Sequence, residues 1–279
     1  MRPEPPRYAP PAATNRDGRP ARGDLPGPGE AAVWVVPLDS VPDARHERVL
    51  DRRELARAAA FQDAPARRRY VASHLALRTV LGGCLGIGPR EVRLTREPCG
   101  MPHCAGPHGR PRTAGDGQAV EFSLSRAGDL AVVALAAVTV GVDVESRAFR
   151  HPGSPLDGMI RRLHPAERAA LAELPPERRE EGFLSCWVRK EAYLKAIGTG
   201  LPGGLSGPCV GLAADAAADG RGPEPNTRGW AFADLDLPPG HRAALAMAAP
   251  DEPPRTPVVT VRTLRLPAQN ISDCITDSS

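Results

Sequence analysis

Lysine is almost missing from this chain. Of 36 basic residues only Lys190 and Lys195 are lysines; the rest are arginines. A sequence that has moved this far toward arginine keeps lysine where a planar fork will not serve, because the ε-ammonium is a compact point donor whose pKa shifts readily. Long apolar runs are missing too, which excludes a membrane-spanning helix. The opening stretch MRPEPPRYAPPAATNRDGRP lacks the apolar core of a signal peptide. A net charge of +3 is too small to argue for a nucleic-acid partner. The six cysteines show no compact framework spacing, so in a chain without an export signal they read as reduced thiols of the cytoplasm.

What is present is 279 residues, 41% hydrophobic, enough to bury one large core or two smaller ones. Both lysines fall in WVRKEAYLKAIGTGL, Trp187–Leu201. At 100° per residue Phe183, Trp187, Leu194 and Ile197 form one apolar stripe with Lys190 inside it. Glu191 and Lys195 lie one turn apart along its edge. Gly198 and Gly200 then stop the helix.

Along the chain, residues 1–30 and 267–279 lack apolar content and are expected to be a loose leader and tail. Ala31–Leu38 predicts a strand. From Asp51 to Leu85 the pattern is helical with a break near Pro65, and it carries Arg52, Arg53, Arg57, Arg67, Arg68, Arg69 and Arg78. That set is either a solvated face or a dock for a polyanion, since arginine forks match phosphate oxygens. The loop REPCGMPHCAGPHGRPR holds Cys99, His103, Cys104 and His108, in a spacing that fits none of the usual zinc patterns. Its Gly109-Arg110-Pro111 predicts a rigid turn that presents an arginine.

Strands are expected at Phe122–Ser125, Leu130–Leu135 and Val138–Glu145. In the last, GVDVE, period-2 geometry sets Asp143 and Glu145 on one face. A helix opens at His164-Pro165-Ala166-Glu167, and a polar connection at Pro175–Glu181 leads to the Phe183 helix. Strand-like patches follow at Cys209–Leu212, Trp230–Leu235, Ala243–Ala248 and Val258–Leu266. This order predicts an α+β fold of two similar halves, 31–138 and 139–266. Asp143, Glu145 and Glu191 would offer a hard divalent cation three carboxylates, and two lysines beside them would neutralise phosphate. The residues alone thus reach Mg2+-dependent transfer from a diphosphate.

GVDVE followed by WVRKEAYLKAIGTGL resembles the 4′-phosphopantetheinyl transferase superfamily, at every fixed position of its two motifs, and more closely its long, pseudo-dimeric type. The likeness spans roughly residues 31–250. It implies Asp143, Glu145 and Glu191 as ligands of Mg2+ (or Mn2+), with Glu191 also the base, and Lys190 and Lys195 as phosphate-contacting catalytic lysines over a structural Trp187. Arg110 and Pro111 stand where the family has Gly-Lys-Pro at the adenine and phosphate end of coenzyme A. Ser125 matches a phosphate-contacting serine, and Arg126 replaces the histidine after it. Arg69 matches an arginine that grips the 3′-phosphate, and Arg53 and Arg57 fall among further basic contacts. The implied protein is a cytoplasmic monomer whose partners are coenzyme A and apo acyl or peptidyl carrier domains of polyketide, nonribosomal peptide or fatty acid synthases. Two other readings use the same residues: a Mg2+-dependent phosphohydrolase, and a non-catalytic protein that binds coenzyme A or the carrier.

Overall fold

The strand expected at the start is β1, Glu30–Pro37, in a computed structural model that describes residues 19–39, 46–98, 109–114, 120–147, 155–201, 204–217, 222–249 and 255–266. After it come α1 (Arg52–Ala59), α2 (Ala64–Leu85) and a small hairpin, β2 (Leu94–Arg96) with β3 (Pro111–Thr113). Three strands then follow: β4 (Glu121–Ala127), β5 (Leu130–Ala136) and β6 (Val140–Ser146). Next are α3 (Leu156–Ile160), α4 (Pro165–Ala172), α5 (Pro176–Ile197), β7 (Trp230–Leu235), β8 (His241–Ala248) and β9 (Val258–Thr263).

One sheet runs β4-β5-β1-β9 and a second runs β6-β8-β7. Alternation along the strands assigns each face. On β1, Val33 and Val35 point into a core shared with Val140, Val142, Val144 and Leu245 of the second sheet. Trp34 and Val36 point the other way, into a core closed by Leu75, Val80 and Leu81 of α2. The apolar β5 is buried along its whole length because both of its faces are covered. On the far side of the second sheet α5 completes a layered order of helix, sheet, sheet, helix, with Phe183, Trp187 and Leu194 in a third core. The architecture is mixed α+β.

Helix ends follow their capping residues. Asp51 and Glu54 form a capping box on α1, and His164 and Glu167 form another on α4. Pro65 falls in the first turn of α2, so the break precedes it. Gly198, at φ 80°, closes α5 in the left-handed conformation.

Several expectations are corrected. The polar stretch before Phe183 forms the first turns of α5, since Glu and Arg are good helix formers and Pro176 suits the first position. The patch at Cys209–Leu212 is not a strand. Ile197 lies outside the buried stripe, 39% exposed. β9, from the second stretch of sequence, pairs in parallel with β1 of the first, as in Val33 opposite Val261. Residues 19–29 are not loose. Gly23 N–H donates to Cys84 O (3.0 Å), Asp24 pairs with Arg262 of β9, and Leu25 packs on the first core. Backbone bonds and one ion pair hold this segment, and composition does not reveal those. Residues 1–18, the cysteine–histidine loop at 99–108 and residues 267–279 lie outside the described residues.

Candidate active site

Gly141 makes the site possible. A Cβ there would collide with the Ala192 carbonyl and stand 2.8 Å from Ala196 N, so only glycine lets β6 lie directly on α5. Asp143 and Glu145 share the Gly141 face of β6, and the close approach sets them against Glu191 and Lys195. Lys195 Nζ donates to Asp143 Oδ1 (2.6 Å), to Ser125 Oγ (2.8 Å) and to the Val142 carbonyl (3.4 Å). Ser125 in turn donates to Asp143 Oδ1 (2.8 Å) and accepts from Val144 N–H (3.3 Å). Ser123 Oγ accepts from Val142 N–H (3.0 Å). Two serines of β4 therefore cap the free edge of β6 and tie the two sheets together at the carboxylates.

Negative charge is crowded here. Burial first, then the charge of Asp143, raises the Glu145 carboxyl to about 8, against the pull of Lys195; Glu191 adds to the rise and a hydrogen bond with Trp187 opposes it. Burial and Asp143 likewise raise Glu191 to about 7, again opposed by Lys195. Asp143 Oδ2 and Glu191 Oε1 are buried without a hydrogen-bond partner. Among the described residues no three His, Cys, Asp or Glu side chains already form a metal cage. Yet two unpartnered carboxylate oxygens, beside a third carboxyl that burial and charge hold far above its usual range, are a donor set that suits a hard divalent cation. The residues fit Mg2+.

Lys190 does not join them. It is fully buried on another face of α5, 2.7 Å from the equally buried Glu167, and it donates to Pro208 O. Glu167 also accepts from Val210 N–H (2.8 Å) and His164 N–H (3.1 Å). Arg189 binds Asp234 (2.8 Å) and the Leu212 carbonyl (2.9 Å), and Ser185 Oγ accepts from Ala213 N–H (2.7 Å). The segment 208–213 runs along α5 with its backbone satisfied by side chains, which is why its apolar pattern is not a strand. This geometry corrects the expected phosphate contact of Lys190. A lysine inside an apolar stripe is buried, and it needs a carboxylate.

The arginines divide. Arg53, Arg57 and Arg69 are exposed. The Arg57 guanidinium lies over the Phe61 ring (5.4 Å), and that of Arg126 over Phe61 (5.9 Å) and Tyr70 (5.3 Å). Burial, and secondarily the charge of Arg57, hold Arg126 below the ordinary guanidinium pKa, while Tyr70 opposes this. Two like charges thus converge over the Phe61 ring. Arg78 leaves the polyanion set: it is buried against Glu54 (2.7 Å) and Asp51 (3.1 Å). Arg110 is engaged by Glu121 (2.8 Å) and Glu97 (3.3 Å), so what it brings to the end of α5 is backbone, packed beside Gly198 and leading into Pro111.

Residues 139–246, which hold β6 and α5, match the model of the 4′-phosphopantetheinyl transferase superfamily. The chain is 35% identical over 177 residues to 4′-phosphopantetheinyl transferase HetI of Nostoc sp. strain PCC 7120, covering 62% of this chain and 70% of that one. The chain belongs to the 4′-phosphopantetheinyl transferase superfamily. It is also 28% identical over 176 residues to the putative 4′-phosphopantetheinyl transferase slr0495 of Synechocystis sp. strain PCC 6803, covering 62% and 67%. A phosphopantetheinyl transferase of Thraustochytrium sp. is 31% identical over 177 residues, covering 58% and 57%.

For this member of the superfamily the motifs locate Asp143, Glu145, Glu191 and Lys195, which the structure brings together. Gly141, Ser123 and Glu167 escaped sequence reasoning. Gly141 had a signal, a glycine two residues before the aspartate on the same strand face. Glu167 had the capping box, which explains only one of its three bonds.

Proposed function

We propose that this chain transfers the 4′-phosphopantetheine group of coenzyme A to a serine of apo acyl or peptidyl carrier proteins, releasing adenosine 3′,5′-bisphosphate. The carrying observation is the pair of unpartnered carboxylate oxygens, Asp143 Oδ2 and Glu191 Oε1, buried at the β6–α5 junction that Lys195 joins.

Asp143, Glu145 and Glu191 would hold Mg2+, with Mn2+ a substitute; when bound, the ion neutralises pyrophosphate charge and polarises the β-phosphate. The chain's own residues do the rest. Lys195, 30% exposed and fixed by Ser125 and Asp143, is placed to offset charge on the leaving phosphate. Glu191, beside Asp143 and Lys195 at this junction, takes the proton of the attacking serine. The serine oxygen bonds to the β-phosphorus as the bond from that phosphorus to the bridging oxygen breaks. Arg57 and Arg126, converging over Phe61, hold phosphate at the nucleotide end, with Arg53, Arg69 and the Arg110-Pro111 backbone around it.

We further place the chain with the long, pseudo-dimeric type, each sheet with its helix forming one half and the site between β4, β6 and α5. It acts as a monomer in a reducing, cytoplasmic setting, which three free buried cysteines support, on carriers of secondary-metabolite or fatty acid synthases. No described helix is long and apolar enough to cross a membrane. The test is incubation with coenzyme A, Mg2+ and an apo carrier. The carrier should gain the mass of phosphopantetheine, and cleavage of coenzyme A without a carrier, or no cleavage at all, overturns the reading.

A further inference from the structure

Phe61 stands half-buried in the turn between α1 and α2, outside both sequence motifs and away from the carboxylates. The two guanidiniums over its ring come from different elements, Arg57 from the last turn of α1 and Arg126 from β4. Among the described residues neither arginine makes a hydrogen bond or ion pair. The acids that could neutralise them are spent. Glu54 accepts from Arg78 (2.7 Å) and the Asp51 N–H (2.8 Å) and pairs with His74 (2.8 Å). Asp51 is taken by Arg78, Asp63 caps α2, and α2 itself contains no acid.

Aromatic faces take the place of carboxylates here. The Tyr70 ring, also under Arg126, packs on Phe61 (5.4 Å) and stacks on His74 (4.1 Å). His74 is fixed in turn by Glu54, beside the buried Arg78. The platform is anchored at its back and cationic at its front. Two guanidiniums held close without a counter-charge repel, and an aromatic face offsets part of that cost. It does so without consuming their N–H forks, as a carboxylate would. Such forks match the oxygens of a phosphate monoester, which brings close to two negative charges at neutral pH. We propose that Phe61, backed by Tyr70 and His74, is a positioning residue: it holds Arg57 and Arg126 together for a phosphate monoester on the nucleotide, and so sets the preference for a nucleotide that carries one. The identity of the nucleotide rests on the transferase reading above.

The test is calorimetry without a carrier, using coenzyme A and 3′-dephospho-coenzyme A, which lacks only the monoester. Phe61→Leu should weaken coenzyme A about fivefold and leave the dephospho form unchanged. Phe61→Trp, which keeps a face for both cations, should retain wild-type affinity. In a protein that already carries Arg57→Gln and Arg126→Gln, Phe61→Leu should add nothing, because it acts through those arginines. With an apo carrier present, the Phe61→Leu loss should fall on KM for coenzyme A rather than on kcat. Equal weakening of the two ligands overturns the proposal, since it marks a general packing defect. A further loss on top of the arginine substitutions overturns it as well, as does unchanged affinity of Phe61→Leu or a wild type that does not prefer coenzyme A over the dephospho form. Absence of transfer by wild type would defeat the transferase reading alone, because the binding comparison needs no carrier.

Discussion

Lys190 Nζ and Glu167 Oε2 lie 2.7 Å apart with neither side chain exposed. The pair joins the start of α4, the middle of α5 and the segment 208–213. Removing one partner of a buried ion pair leaves an uncompensated charge and costs about 3–5 kcal/mol.

Lys190→Met should therefore lower the unfolding free energy from urea titration by an amount in that range, and Glu167→Gln, which keeps the shape, by less. Turnover per folded molecule should change little in Glu167→Gln. A Lys190→Met protein of normal stability that has lost turnover would return this lysine to the phosphate.

Gly141→Ala tests the apposition of β6 and α5. The added methyl meets backbone of Ala192 and Ala196, which cannot swing aside as a flexible side-chain end can. Strand and helix must separate, which moves Asp143 and Glu145 from Glu191 and Lys195. A shift of about 1 Å at a reacting centre costs on the order of a hundredfold in rate. Transfer should fall by that order while circular dichroism still shows a folded chain, and full activity would mean that the separation does not matter.

Much of this site was legible because it rests on short-range periodicity. Alternation in GVDVE put Asp143 and Glu145 on one face, and helical spacing put Lys195 one turn from Glu191. The scarcity of lysine pointed to the right helix but not to the right roles. The stripe argument already placed Lys190 among apolar residues, yet its carboxylate partner comes from another helix, which no spacing displays. The unseen remainder has the same cause. β9 returns to β1 across the sequence, Asp24 is held by Arg262, and 208–213 is satisfied by side chains of α5 and α4 instead of a neighbouring strand. Each is a pairing between distant segments.

Cation binding should register without catalysis. A ligand that binds only the folded state stabilises it by about 2.7 kcal/mol at a hundredfold excess over Kd. Mg2+ should raise the melting temperature of wild type, while Asp143→Asn and Glu191→Gln lose the shift. A wild-type melting curve indifferent to Mg2+ would remove the carboxylates from metal binding.

Acid stability should depend on Glu54. Burial would raise its carboxyl, but hydrogen bonds from His74 and the Asp51 N–H, and the charges of His74 and Arg78, hold it below 4.5. A depressed folded pKa contributes stability that is complete above the unfolded value and lost as pH falls through the folded one. Glu54→Gln should be less stable than wild type at pH 7 and should lose less on acidification below 4.5. Parallel losses in urea titrations of the two proteins would show that other carboxylates govern the acid limb.

Trimming the N-terminal segment gives the last prediction. A chain that begins at residue 31 loses the Asp24–Arg262 ion pair, the Gly23 bond to Cys84 O, the Cys84 Sγ bond to Asp24 O and the packing of Leu25. It also uncovers Gly83, against which Pro20 lies so closely that a Cβ there would stand 2.9 Å from the proline ring. Arg262 is 8% exposed and stacks over Trp34 at 5.2 Å, so without Asp24 it becomes a buried cation resting on the first core. The stranded charge is the dominant cost, since a surface pair of the same geometry would be worth under about 1 kcal/mol. A chain beginning at residue 31 should therefore melt lower than one beginning at residue 19. Arg262→Met in the shorter chain should recover part of the difference by removing the unpaired charge. Equal melting of the two truncated chains would show that residues 19–30 rest on the fold without supporting it.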